Sequence, residues 1–102
     1  MTKPVRVEQD AEEELRAAIA GDESERPALG VALFAEVRRV ISLIENFPAG
    51  GAQIPRVRAR YGTRRVPLRR FPYVVVYRER TEVSQVIAFA HTSRKPGYWR
   101  SR

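Results

Sequence analysis

The chain has 102 residues, no cysteine and a net charge of +7, with 43% hydrophobic and 9% aromatic residues. That length supports one domain with a two-layer core, spanning residues 1–102, and the apolar content argues against disorder. The lack of cysteine excludes disulfides, thiolate nucleophiles and thiolate metal sites; with no apolar leader and no membrane-length stretch, a cytoplasmic protein without a membrane partner is expected.

Val5 and Val7 alternate with Arg6 and Glu8, which predicts a short first strand. Asp10 and Glu13 have capping-box spacing, with Asp in place of Ser or Thr. Leu15, Ala18 and Ile19 then share one face of a helix expected to end near Gly21, and residues 22–26 read as a charged loop. Pro27 suits the first turn of a second helix, whose apolar stripe is Leu33, Phe34, Val37, Ile41 and Ile44. Phe47-Pro48 and Gly50-Gly51 end it.

Beyond this break the apolar period changes from helical to alternating. Val57, Ala59 and Tyr61 alternate with Arg56, Arg58 and Arg60, predicting a strand with one basic face. Gly62-Thr63 is a turn; Val66 and Leu68 continue an extended segment that Pro67 confines to an edge or an irregular stretch. Residues 73–77 read as a central strand buried on both faces, residues 78–82 as a polar hairpin loop, and residues 83–90 as the returning strand. The expected architecture is α+β, in the order β-α-α-β-β-β, with two N-terminal helices packed on one face of an antiparallel sheet.

Charge divides sharply along the chain. Residues 1–50 carry six basic and ten acidic side chains, whereas residues 51–102 carry thirteen basic ones and only Glu79 and Glu82. Such asymmetry suggests a positive face aimed at phosphates or at an acidic protein. Residues 91–102 hold His91, Ser93, Arg94, Tyr98, Trp99 and Arg100, and Pro96-Gly97 imposes a turn that folds Tyr98 and Trp99 back towards the sheet. One histidine without cysteine cannot build an ordinary zinc site, and two carboxylates at a hairpin tip do not suit magnesium chemistry. No metal and no cofactor are expected. Proton transfer by His91 or Tyr98, with arginine holding a phosphate, is what remains, and metal-independent RNA cleavage fits that inventory. The plainer reading stays open beside it: a hydrogen-bonded surface histidine, an aromatic lid over the core, and a solvated arginine face.

Two motifs carry a resemblance: Arg70-Phe71-Pro72-Tyr73 followed by three valines and Tyr77, and His91-x-x-Arg94-x-Pro96-x-Tyr98-Trp99-x-x-Arg102. In these, and less densely through residues 10–15 and 30–48, the chain resembles the RelE/ParE toxin superfamily of type II toxin–antitoxin systems. It looks closest to the ParE-like branch, often labelled plasmid stabilisation proteins. The resemblance implies a RelE/ParE-like fold and a growth-inhibiting bacterial toxin. Its implied partner is a cognate antitoxin whose acidic C-terminal segment wraps and neutralises it, as a dimer or a heterotetramer. RelE-type members cleave mRNA on the ribosome; ParE-type members inhibit DNA gyrase. RelE-type enzymes carry an arginine in the strand where this chain has Val74, and in place of their lysine cluster stand Arg56, Arg58 and Arg60. Gyrase inhibition is therefore the expected activity, ribosome-dependent mRNA cleavage the alternative, and a non-toxic basic module for RNA or an acidic protein the third reading. The candidate catalytic residues are His91, Arg94 and Tyr98. The candidate target- or phosphate-binding residues are Arg56, Arg58, Arg60, Arg69, Arg70, Trp99 and Arg100.

Overall fold

A computed structural model describes residues 2–54 and 62–102. The expected strand bearing Arg56, Arg58 and Arg60 lies outside the described residues. The remaining elements are β1 (Val5–Val7), α1 (Gln9–Glu25), α2 (Pro27–Asn46), β2 (Ala52–Gln53), β3 (Thr63–Pro67), β4 (Tyr73–Glu79) and β5 (Ser84–His91). They build one five-stranded sheet in the order β1-β5-β4-β3-β2. Among the described residues no helix is long and apolar enough to cross a membrane.

The antiparallel expectation holds from β2 through β5 and is corrected at β1, which joins β5 in parallel with Val5 opposite Ser84 and Val7 opposite Val86. The helical crossover returns the chain so that its first strand runs beside its last. Pairing so distant in sequence leaves no local signal.

Helix α1 runs past Gly21 to Glu25, so the expected loop at residues 22–26 shrinks to Arg26 alone. Arg26 sits in extended backbone and serves as the end of α1 and the start of α2, its N–H donating to Asp22 O at 2.9 Å. Proline is the cause: Pro27 pushes the preceding residue out of helical backbone, while itself fitting the next helix's first turn. At the other end Glu8, not Asp10, is the N-cap, and it makes no side-chain cap. Asp10 and Glu12 still place negative charge in the first turn, where the helix dipole favours it.

The buried seam of α2 is Gly30, Leu33, Val37, Val40 and Ile44, a 3-4-3-4 spacing. Phe34, placed in the stripe on sequence, is 50% exposed at the flank, and Val40 takes its share of the core. This seam packs with Ala11 and Ala18 of α1 against Val75, Tyr77, Val86 and Phe89 of the sheet. Val86 and Phe89 are three apart and yet face the same layer. A bulge explains it: Val76 opposes Ala88 and Tyr77 opposes Val86, leaving Ile87 as the extra residue. The other sheet face buries Val76, Ile87 and Ala88 beneath Trp99. Buried Tyr77 also anchors the strap after α2, donating to Pro48 O at 2.7 Å and accepting from Gly51 N at 3.1 Å. A Cβ on Gly51 would lie 2.6 Å from that hydroxyl, so no side chain fits there.

Candidate functional site

The tail after β5 is shaped by local geometry before it is shaped by chemistry. Gly97 has φ +81, a backbone that favours glycine, and successive turn hydrogen bonds run from Tyr98 N to Lys95 O and from Arg100 N to Gly97 O. The turn swings Trp99 inward, to 6% exposure, and Tyr98 towards α1. Trp99, a candidate for target binding on sequence, packs as a lid on Val76, Ile87 and Ala88 on the far side of the sheet and also lines the cleft there.

Glu14 of α1 organises the rest. It accepts from the Tyr98 hydroxyl in a short hydrogen bond, from Arg102 Nη1 at 2.7 Å and from Phe89 N at 3.1 Å. Arg94 approaches the same carboxylate at 4.0 Å and lies 3.9 Å over the Tyr98 ring. Arg102 also donates to Ile87 O at 3.1 Å and sits 3.6 Å from Asp10, while its carbonyl accepts from Arg78 at 2.6 Å. β1 covers the outer edge of β5 only as far as Val86. The exposed edge beyond it is therefore closed by side chains, Glu14 taking the Phe89 N–H and Arg102 the Ile87 carbonyl. Glu14 is not among the residues that composition and spacing single out. A signal was there: with buried Ala11 three residues before it and Ala18 four after, Glu14 lies on the buried face of α1, where a carboxylate needs partners.

The electrostatics follow from those contacts. Burial pushes the Tyr98 hydroxyl up to about 12, reinforced by its bond to Glu14 and that carboxylate's charge, against the opposing pull of Arg102 and Arg94. It stays protonated across the physiological range and serves as a donor to Glu14. Burial works against the Arg102 charge, yet the Glu14 carboxylate outweighs it and the Arg102 pKa rises. His91 ends β5 opposite Tyr73, whose ring meets it edge-on at 5.1 Å. Its Nδ1 accepts from Ser93 N at 3.0 Å and faces Ser93 Oγ at 2.7 Å. With Nδ1 accepting, the proton of the neutral ring sits on Nε2.

Three of the sequence candidates therefore come together. His91, Arg94 and Tyr98 line a cleft of about 270 Å³ against Glu14 and Tyr73. Arg100 is exposed and, with His91, Arg94, Tyr98 and Trp99, lines a second, larger cleft on the face of the sheet that α1 and α2 leave uncovered. Arg69 and Arg70 lie on the turn between β3 and β4, exposed, and line neither cleft. Arg70 has φ +69, and the Arg69 backbone N–H donates to Glu36 at 2.6 Å.

Glu36 also holds Arg39 through two hydrogen bonds of 2.7 and 2.8 Å. The Arg39 contact, with help from the Arg69 N–H and against burial, lowers the Glu36 carboxyl from 4.5 to about 2. A carboxyl depressed on folding contributes stability that is complete above its unfolded pKa and disappears as pH falls through the folded one. The contribution reaches roughly 3 kcal/mol at most. Acid unfolding followed by circular dichroism is expected to show wild type outlasting Glu36→Gln above pH 4.5, with the two curves converging towards pH 2.

Residues 5–96 match the family described as ParE toxin of type II toxin-antitoxin system, parDE. The chain belongs to that family and is a ParE-type toxin of a type II toxin–antitoxin system. Among solved structures it is similar to one described as a chromosomal ParDE TA system from P. aeruginosa, at TM-score 0.73 and 16% identity, covering 88% of this chain and 96% of that one. At that identity the likeness speaks for the fold. No curated protein sequence matches.

Proposed function

We propose that this toxin inhibits DNA gyrase without chemistry of its own, and that a cognate antitoxin neutralises it by docking an acidic C-terminal segment on its basic half. The observation that supports a non-catalytic action is the state of its two proton-transfer candidates. The Tyr98 hydroxyl is given to Glu14, and the His91 Nδ1 lone pair is given to Ser93. A general base needs a free lone pair, and a general acid works best with a pKa near the operating pH; Tyr98 lies at about 12. Val74 adds to this, since an apolar side chain stands in the central strand where RelE-type enzymes carry an arginine. Charge supports the antitoxin contact: residues 51–102 carry thirteen basic and two acidic side chains. Contacts of this kind mainly speed association and weaken with salt.

The gathering of His91, Arg94 and Tyr98 in one cleft favours mRNA cleavage as the second reading. Induction of wild type, His91→Ala and Tyr98→Phe in bacteria separates the two. All three are expected to arrest growth at doses within a few-fold of one another and to raise the DNA-damage response, with ribosome-bound mRNA intact. Cleaved mRNA, together with a loss of about 10²–10⁴-fold in cleavage rate in either variant, would overturn the proposal.

A further inference from the structure

We propose that the cleft on the face of the sheet that α1 and α2 leave uncovered holds a short single-stranded stretch of polynucleotide. The inference rests on the gyrase reading and deepens it, because it names nucleic acid as what this face grips in the target complex. The cleft measures about 590 Å³ and has four cations at its rim: Arg65, Arg94, Lys95 and Arg100. Its lining includes no carboxylate among the described residues. Ile54, Val74 and Val76 line it as apolar floor. Arg65 pairs with Val76 across the β3–β4 ladder, so it stands on the same face as that floor. The other three cations arrive from the tail, beyond β5. Two strand spacings separate the rims, roughly 10 Å of apolar surface between facing positive charges.

That combination discriminates between polyanions. A peptide that adds a strand to a sheet draws its affinity from main-chain hydrogen bonds at an open edge. Here the floor is the middle of a sheet, and β4 is paired on both sides, with β3 and with β5. The face offers cations and apolar surface, with the rings of His91, Tyr98 and Trp99 in the same lining. Single-stranded nucleic acid asks for a positive track for phosphates and for rings on which bases stack. Val74 fits this role better than it fits catalysis, since it keeps the floor apolar. Arg65, Lys95 and Arg100 are exposed, so their charge is available at the rim.

Fluorescence anisotropy of the purified full-length chain with labelled oligonucleotides tests the inference. The probes are a single-stranded DNA, an RNA of the same sequence, the DNA duplex and a polyglutamate peptide of equal charge. Saturable binding of single strands is expected, weakening roughly 50-fold between 50 and 200 mM salt if four phosphates are neutralised. Arg65→Ala and Lys95→Ala should each flatten the salt slope by about 0.7, while Arg16→Ala, which removes an exposed charge on the helical side, leaves it unchanged. A DNA preference ties the cleft to gyrase-bound DNA; an RNA preference keeps the cleft and points it at transcripts. Equal binding of polyglutamate, tighter binding of duplex, no saturable binding at 50 mM salt, or indifference to the rim variants would overturn the inference. Gyrase inhibition measured on the same preparation keeps the two readings apart. A chain that inhibits gyrase yet binds no single strand sinks the cleft proposal and leaves the proposed function standing.

Discussion

Trp99→Ala is expected to cost about 3–5 kcal/mol, the usual consequence of emptying a buried aromatic site. Trp99 is 6% exposed and covers Val76, Ile87 and Ala88 on a face that neither α1 nor α2 covers. Truncating it uncovers that second core and removes the turn's inward anchor, while Pro96-Gly97 still bends the chain. For a domain of this size such a loss lowers the melting temperature by roughly 15–30 °C. Against a typical stability of about 5–15 kcal/mol, the variant is expected to be poorly folded at 37 °C. Trp99→Phe, which keeps a ring in place, is expected to retain most of the stability. Thermal melts of both variants check this. A Trp99→Ala melting point within a few degrees of wild type would mean that the tail does not close the sheet.

Glu14→Ala is expected to cost about 2–4 kcal/mol, because removing one member of a partly buried network strands the others. The Tyr98 hydroxyl and the Phe89 N–H lose their partner, and the Arg102 guanidinium keeps only the Ile87 carbonyl and Asp10. The Glu14 and Arg102 side chains are 17% and 22% exposed, so water restores only part of what is lost. Glu14→Gln keeps an acceptor and a similar shape while losing the charge, and is expected to fall between wild type and alanine. Hydrogen exchange adds a local readout: the Phe89 amide should lose protection in Glu14→Ala beyond the global change. Unaltered Phe89 protection would place the edge closure elsewhere.

These two residues mark the boundary of what sequence reveals. Helix α2 is legible because Pro27 and a long apolar stripe are local signals, although Phe34 lies at the stripe's exposed flank and Val40 is buried in its place. The central strand was legible from its run of valines and tyrosines. The continuation of α1 through Gly21 was not, since glycine and a cluster of polar residues mimic a loop. What stops the helix is the proline after it. The parallel pairing of β1 with β5 was hidden for a different reason: it joins residues 5–7 to residues 84–86, and no local pattern encodes such a partner. The tail was recognised as important from its composition, and His91, Arg94 and Tyr98 do converge. The carboxylate that holds Tyr98 and approaches Arg94 was not legible, because Glu14 stands about eighty residues earlier in the chain. Glu14 ties Tyr98 and Arg102 into a clasp between helix, sheet edge and tail.

The action proposed for this ParE-type toxin is to stop growth by disabling gyrase, with its tail as structure and surface rather than as a reaction centre. The most direct test is plasmid supercoiling by purified gyrase in the presence of the purified chain, with mRNA in a translating extract followed alongside. Supercoiling is predicted to fall saturably with toxin concentration, equally for wild type and His91→Ala, with the mRNA left intact. Full supercoiling at a large molar excess of folded toxin, with mRNA cut in the parallel reaction, would contradict it.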